Sequence, residues 1–327
     1  MRIGIIGAGR IGQVHARSVA ENPDTELVVV SDPNVAGAQA LADKYGARAV
    51  ADAADVINAD DVDAVIICSP TPFHGEQILA SARAGKAALC EKPLAMDSAD
   101  ADAIKDGLKG LDVKVMMGFN RRFDPGFRAA KDAAERGELG TVEQVTIISR
   151  DPAAPPKEYI AVSGGIFKDM TIHDFDMARF QLGDIAEVSA IGQNLDPELA
   201  DTGDFDGVIV TLKTAQGKTA TITNSRHCAT GYDQRLEVFG NEGSAFVDNV
   251  RPNTMRLSKD HFSDSQEPYL DFFLERYAAA YANELAAFVA AVKGEGEFSP
   301  SVQDGADALR LAEAAEESAR TGKVVAV

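Results

Sequence analysis

The chain has 327 residues, 45% apolar and 25% charged, the composition of a globular protein long enough for two domains. Its 51 acidic against 32 basic residues leave a net charge of −19, which argues against nucleic acid or an anionic membrane as partner. No apolar run approaches the ~20 residues of a spanning helix, and Met1 leads straight into an apolar strand, so no leader is expected and the location reads as cytoplasmic.

Arg2 to Ile6 reads as a short buried strand. Gly7-x-Gly9-x-x-Gly12 then turns directly into an amphipathic helix over 11–21, and a second apolar strand at 27–30 ends in Ser31-Asp32. Gly7 permits the tight turn, Gly9 lets backbone amides approach a pyrophosphate, and Gly12 lets helix pack closely on strand. The turn residues Gly7, Gly9, Arg10, Ile11 and Gly12 therefore read as a phosphate cradle at a helix N-terminus. Asp32 lies about 20 residues after the last glycine, where a dinucleotide fold places the carboxylate that grips the adenosine ribose. A 2′-phosphate would meet that carboxylate, and Pro33-Asn34 bring no cation, so NAD rather than NADP is expected.

Further strand patterns follow at 48–50, 64–68, 87–90 and 113–117, with helical patterns at 77–84 and 99–108. This alternation implies a parallel sheet with right-handed crossovers. Ligands bind such sheets beyond the carboxyl ends of the strands. Those ends carry the glycine turn, Asp32, Ser69-Pro70-Thr71, Glu91-Lys92-Pro93 and Gly118-Phe119-Asn120, all expected to line one crevice. His74, at a helix start, reads either as a cofactor-side contact or as a structural residue. Arg121 and Arg122 suit a diphosphate or local acids, with local pairing favoured for at least one. His15 reads as a packing or surface residue. Cys68 and Cys90 lie in apolar strands, share no ligand spacing with Cys228, and read as buried thiols in a reducing compartment.

The pattern changes at about residue 121, which divides the chain into a Rossmann domain over 1–120 and a second domain over 121–327. A helix over 123–136 precedes β-rich segments at 141–150, 187–194, 206–214, 218–225, 234–239 and 244–248. Turn signals at 215–217 and 240–243 join neighbouring strands antiparallel. An α+β domain follows, with a large, open, mainly antiparallel sheet and helices on one face. Two helices close the chain at 272–292 and 302–320, the last able to pack back toward the first domain. The uncovered sheet face is expected to be a subunit interface.

Two constellations carry chemistry. Lys92 stands at the end of the fifth parallel strand, hence beside a bound nicotinamide. The stretch 164–180 reads as a helix after Gly164-Gly165, with Asp169 and His173 at i and i+4 on one face. His173 is a candidate general base, and Asp169 can orient it or hold a substrate hydroxyl. His173, Asp174 and Asp176 point in different directions at a 3.6-residue period, so no metal is expected.

Gly7-x-Gly9-x-x-Gly12, Glu91-Lys92-Pro93, Asn120-Arg121-Arg122-Phe123-Asp124 and Asp169-x-x-x-His173-Asp174 together resemble the Gfo/Idh/MocA oxidoreductases, over essentially the whole chain. Within them, Gly164-Gly165-Ile166-Phe167 to Arg179-Phe180 and Gly231-Tyr232-Asp233 through Glu237-Val238-Phe239-Gly240 resemble the bacterial inositol 2-dehydrogenases. The glycine motif is generic; the Lys-Pro with Asp-x-x-x-His is specific. The resemblance implies Lys92, Asp169 and His173 as the catalytic set. It also implies Tyr232 and Arg150 beside the substrate, cofactor contacts from Ser69, Thr71, His74, Glu91, Lys92 and Asn120, and a homotetramer. The expected reaction is NAD-dependent oxidation of a ring hydroxyl of a cyclic polyol, myo-inositol first. A scyllo-inositol or aldose dehydrogenase is the alternative, and a non-catalytic NAD(H)-binding regulator is disfavoured by the presence of all three residues. One departure concerns specificity. Some inositol dehydrogenases carry a histidine-bearing segment where this chain has Ser149-Arg150-Asp151-Pro152 and then Ala153-Ala154-Pro155-Pro156.

Overall fold

Short apolar strands alternate with helices through the first third of the computed structural model, which describes all 327 residues. The strands are β1 (Arg2–Ile6), β2 (Glu26–Ser31), β3 (Arg48–Val50), β4 (Ala64–Ile67), β5 (Ala87–Glu91) and β6 (Val115–Gly118). Between them run α1 (Arg10–Glu21), α2 (Val35–Tyr45), α3 (Ala53–Ile57), α4 (His74–Arg83) and α5 (Ser98–Gly107). All six strands pair parallel in the order β3-β2-β1-β4-β5-β6. β4, β5 and β6 are buried at every position, as a sheet with helices on both faces requires. The order reverses between β1 and β4, and such a switch point opens the ligand crevice of doubly wound sheets.

After these come α6 (Pro125–Glu135), β7 (Val142–Arg150) and α7 (Lys157–Ser163), a π-helical turn at Phe167–Thr171, and α8 (Ile172–Leu182). β8 (Ile185–Gln193), β9 (Gly207–Thr214), β10 (Thr219–Ser225), β11 (Asp233–Gly240) and β12 (Ser244–Val247) follow. A side hairpin, β13 (Leu257–Lys259) and β14 (Phe262–Ser265), precedes α9 (Phe273–Arg276), α10 (Ala278–Lys293), α11 (Val302–Thr321) and β15 (Val325–Ala326). The second sheet has the order β12-β11-β7-β10-β9-β8-β15 and is antiparallel except where β7 meets β10.

The fold consists of two compact units, residues 1–123 with 279–310 and residues 124–278 with 311–327. In the first, Ile3, Ile5, Val30, Ile66, Leu89 and Met116 form a core completed by Leu285, Phe288 and Val289 of α10. In the second, alternate residues of the sheet face inward, among them Val145, Ile147, Val210, Leu212, Ile222, Leu236 and Val238. The opposite face carries cross-strand rows of short and β-branched side chains. One row runs Ile191, Ile209, Thr223, Ile148 and another Ser189, Thr211, Thr221, Thr146. Ile191 and Ile209 are largely exposed on it.

The helix expected over 272–292 is broken at Tyr277 into α9 and α10. Tertiary bonds hold the break: Arg276 reaches Asp124 at 2.5 Å and Asn249 at 3.0 Å, while the buried Tyr277 hydroxyl donates to Gln234. Asp124 in turn caps α6, accepting from the N–H groups of Gly126 and Phe127. Helix α7, the side hairpin and β15 carry too little periodicity to be read from sequence.

The Arg276–Asp124 pair is almost wholly buried. Removing one member strands the other charge, so Arg276→Ala is expected to lower stability by ~3–5 kcal/mol, the usual cost of an orphaned buried charge. The denaturant midpoint of the purified variant checks this.

Candidate active site

The glycine turn shows why its residue types are required. Gly7 has φ +103°, and a Cβ there would lie 2.6 Å from the Cys68 carbonyl oxygen. A Cβ on Gly12 would collide with the Gly7 carbonyl oxygen, so α1 can sit this close to β1 only without a side chain. Gly9 has open space where its Cβ would be, and no side chain caps the N-terminus of α1. The first-turn N–H groups, from Arg10 to Gly12, are thus left available to an anion.

Asp32 closes this end of the sheet. Its Oδ2 accepts from the Ala8 N–H and its Oδ1 from the Asn34 N–H, each at 2.8 Å. A carboxylate has about four acceptor positions, so the two amides orient Asp32 and leave lone pairs for the ribose hydroxyls of a dinucleotide. The residues present therefore fit NAD.

The neighbouring strand ends are tied together. The buried ring of His74 places Nδ1 2.8 Å from the Pro93 carbonyl oxygen and Nε2 2.8 Å from that of Ser69. It thereby joins the segment after β4 to the one after β5. Burial lowers its pKa, while the two carbonyl acceptors, which together call for both ring N–H groups, work against that shift. The Ser69 hydroxyl donates to Gln77, and Thr71 opens a short 3₁₀ turn leading into α4. Glu91 is buried; Oε1 faces His15 and Oε2 accepts from the Lys92 N–H. Lys92 is half-buried, and Asn120 is buried just past β6. Of the two arginines that follow, Arg122 pairs with Asp304 at 3.0 Å. Burial pushes the Asp304 carboxyl up, but Arg122 and Ser301 outweigh it and hold the group at about 2. Cys68 and Cys90 are buried, and burial pushes both thiols well up.

The second unit carries the remaining candidates. Asp169 lies in the π-helical turn rather than in an α-helix, and His173 lies in the first turn of α8. Helix α8 is buried on nearly all sides; His173, Arg179 and Phe180 are its only residues not fully enclosed. Thr171 and Asp174, flanking His173, are locked to β10: the Thr171 hydroxyl donates to Asn224 at 2.6 Å, and the Asn224 amide donates to Asp174 at 2.8 Å. Asn224 also reaches the Ser149 carbonyl on β7. This network fixes the rotation of the helix that carries His173. Asn224 lies about 50 residues downstream, and no local pattern marks it. The Tyr159 hydroxyl donates to Asp169 at 3.0 Å, a contact equally invisible in sequence.

Arg150, at the end of β7, pairs with Asp233 at 3.4 Å, and Arg235 binds the same carboxylate twice at 2.8 Å. Tyr232 is buried, its ring edge-on to Tyr277. His15, read as a packing or surface residue, is fully enclosed, with its Nε2 2.8 Å from Oε1 of Glu91.

Residues 1–119 match the model of an oxidoreductase family with an NAD-binding Rossmann fold, and residues 127–246 match the GFO/IDH/MocA C-terminal domain. The chain is 46% identical over 330 aligned residues to an inositol 2-dehydrogenase of Rhizobium meliloti, covering 100% of this chain and 99% of that one. A myo-inositol dehydrogenase of Corynebacterium glutamicum superposes with TM-score 0.95 at 50% identity, covering 100% and 98% of the two chains. A scyllo-inositol dehydrogenase of Lactobacillus casei, crystallised with NAD(H) and scyllo-inositol, superposes with TM-score 0.92 at 29% identity, covering 100% and 98%.

The placement of Asp32 makes a direct test available. Asp32→Ser is expected to weaken NAD binding about 10–100-fold, the worth of hydrogen bonds to a charged acceptor, while rejection of NADP is relieved. Fluorescence titration with both dinucleotides checks it; a wild-type protein that bound NADP as well as NAD would detach Asp32 from the ribose.

Proposed function

The chain belongs to the GFO/IDH/MocA oxidoreductase family, and from that premise we propose that it oxidises a ring hydroxyl of myo-inositol to the ketone with NAD. Similarity to inositol dehydrogenases over the full length, with Lys92, Asp169 and His173 all present, is the observation that carries this reading.

The chemistry needs a base for the hydroxyl proton, a cation near the oxygen and a grip on the rest of the ring. His173 accepts the hydroxyl proton, which requires a neutral imidazole at the start. Lys92 polarises the oxygen and relays the proton onward. Asp169, oriented by Tyr159, anchors an adjacent hydroxyl. As the O–H bond breaks, the C–H bond breaks with its electron pair and a C=O bond forms. NAD, which the glycine turn and Asp32 would hold, would supply the hydride acceptor for that electron pair. The glycine turn and Asp32 hold the dinucleotide; Ser69, Thr71, His74, Glu91 and Asn120 shape its nicotinamide side.

Arg150 and Tyr232 border the substrate in this reading, and the segment 150–157 sets which stereoisomer fits. Scyllo-inositol is the main competitor, because a protein crystallised with it shares the fold over the whole chain. Initial rates with NAD against a panel of inositols and aldoses decide the preference.

No helix is long and apolar enough to cross a membrane, and a cytoplasmic location accords with the buried reduced thiols. The rows of Ile191, Ile209 and threonines on the open sheet face suit pairing with a second copy, within a homotetramer.

His173→Ala is expected to lower turnover ~10²–10⁴-fold with NAD binding nearly intact, and wild-type kcat/KM should fall as pH drops through the imidazole ionisation. Lys92→Ala should also cut turnover strongly, and the double variant should lose less than the product of the singles if both serve one proton path. Polyol oxidation at a near-normal rate by His173→Ala would refute the mechanism. Light scattering at micromolar concentration is expected to give a tetramer; a monomer would remove the assembly from the proposal.

A further inference from the structure

Next to Lys92 in sequence, Glu91 belongs to a buried group of ionisable side chains whose other members, His15 and Glu284, have no part in the reaction described above. His15 on α1 places Nε2 2.8 Å from Oε1 of Glu91 at the end of β5, and the other oxygen of Glu91 accepts from the Lys92 N–H at 3.3 Å. Glu284 on α10 is 0% exposed, and neither of its carboxyl oxygens has a hydrogen-bond partner. Donor and acceptor atoms of His15, Glu91 and Glu284 lie within 4.8 Å of one another.

The surroundings offer little to neutralise two carboxylates. Tyr281, also on α10, sets its ring edge-on to the imidazole at 5.5 Å. Cys68, just after β4, faces both carboxylates and Cys90 of β5 lies beside Glu91, each as a thiol that burial keeps protonated; burial also opposes a charge on His74, whose two ring nitrogens are already directed at backbone carbonyls. Lys92 adjoins Glu91 through its backbone. Two like charges this close in a dry interior cannot both persist without a compensating proton or cation. Burial first, and the Glu91 charge second, push the Glu284 carboxyl well above its usual range.

We propose that Glu284 is held as a neutral carboxylic acid, and that the His15–Glu91–Glu284 cluster is a positioning device fixing the end of β5 from which Lys92 projects. A neutral acid at this distance from Glu91 leaves a single negative charge in the cluster. His15 and the Lys92 amide then hold that charge in one orientation. Glu284 and His15 are positioning residues; they act on the reaction only through Glu91 and the backbone of Lys92. The activity part of the test rests on the role given to Lys92 above, whereas the stability part does not.

Glu284→Gln keeps the shape and removes the ionisation. A carboxyl protonated in the fold but ionised in the unfolded chain makes stability fall as pH rises from about 4.3, its unfolded pKa, toward the folded value. Melting temperatures of wild type and Glu284→Gln between pH 5.5 and 9 should therefore diverge in favour of the variant as pH rises. A difference independent of pH would show Glu284 ionised in the fold and overturn the neutral acid. So would a stoichiometric divalent metal in the wild type that Glu284→Gln loses, since a cation would then hold the charge. At pH 7 Glu284→Gln should keep kcat within about twofold. Glu284→Leu, or Glu284→Met if the first does not fold, should lose at least about tenfold in kcat with the Kd for NAD unchanged, as misplacement of a catalytic group does. Wild-type kcat in that apolar variant would overturn the positioning role while leaving Lys92 as a catalytic residue untouched.

Discussion

A contact between two stretches of backbone sets the terms for the nucleotide-binding unit. The Gly7 carbonyl lies so close to Gly12 that no side chain fits between them. This closeness lets α1 start directly off β1, aiming its uncapped first-turn N–H groups beyond the strand ends. It also brings Ala8 to Asp32, so one carboxylate is oriented by the same turn that makes the phosphate cradle. Position 7 needs glycine for its positive φ and position 12 for the close approach, two different physical reasons within one motif.

Around that turn the protein holds its working loops with buried polar groups rather than apolar packing alone. His74 bridges the carbonyls of Ser69 and Pro93, and Glu91 is held between His15 and the Lys92 amide. In the second unit Asn224 performs the equivalent task for α8, bonding Thr171, Asp174 and the β7 backbone at once. Such groups are costly when unsatisfied and directional when satisfied. They therefore fix the angles at which His173 and Lys92 project, which packing of leucines and valines specifies less sharply.

The second sheet shows a division of labour by face. Its inner side alternates Val, Leu and Ile against the helices, while its outer side carries isoleucine and threonine in cross-strand rows. β-branched side chains suit a flat pleated surface. The three-way Asp233 cluster with Arg150 and Arg235 stands where β7 and β11 pair, so the segment after β7 departs from a charged, register-fixed base.

The parallel sheet, the mainly antiparallel second sheet, the glycine turn, Asp32 and the placing of Lys92 at a strand end are all legible in the chain before it folds. These follow from local periodicity, turn chemistry and short motif spacings, all written within a few dozen residues. Asp169 and His173 were expected on one face of a single α-helix, but the π-helical turn that carries Asp169 was not legible, because an extra residue per turn leaves almost no mark on an apolar pattern. The break at Tyr277 and the enclosure of His15 were settled by partners distant in the chain, Asp124 and Gln234 in one case, Glu91 and Glu284 in the other. The same holds for Asn224, whose neighbours in sequence say nothing of Asp174. Periodicity reports which face of an element is buried; only the tertiary structure decides which polar group waits there to meet it.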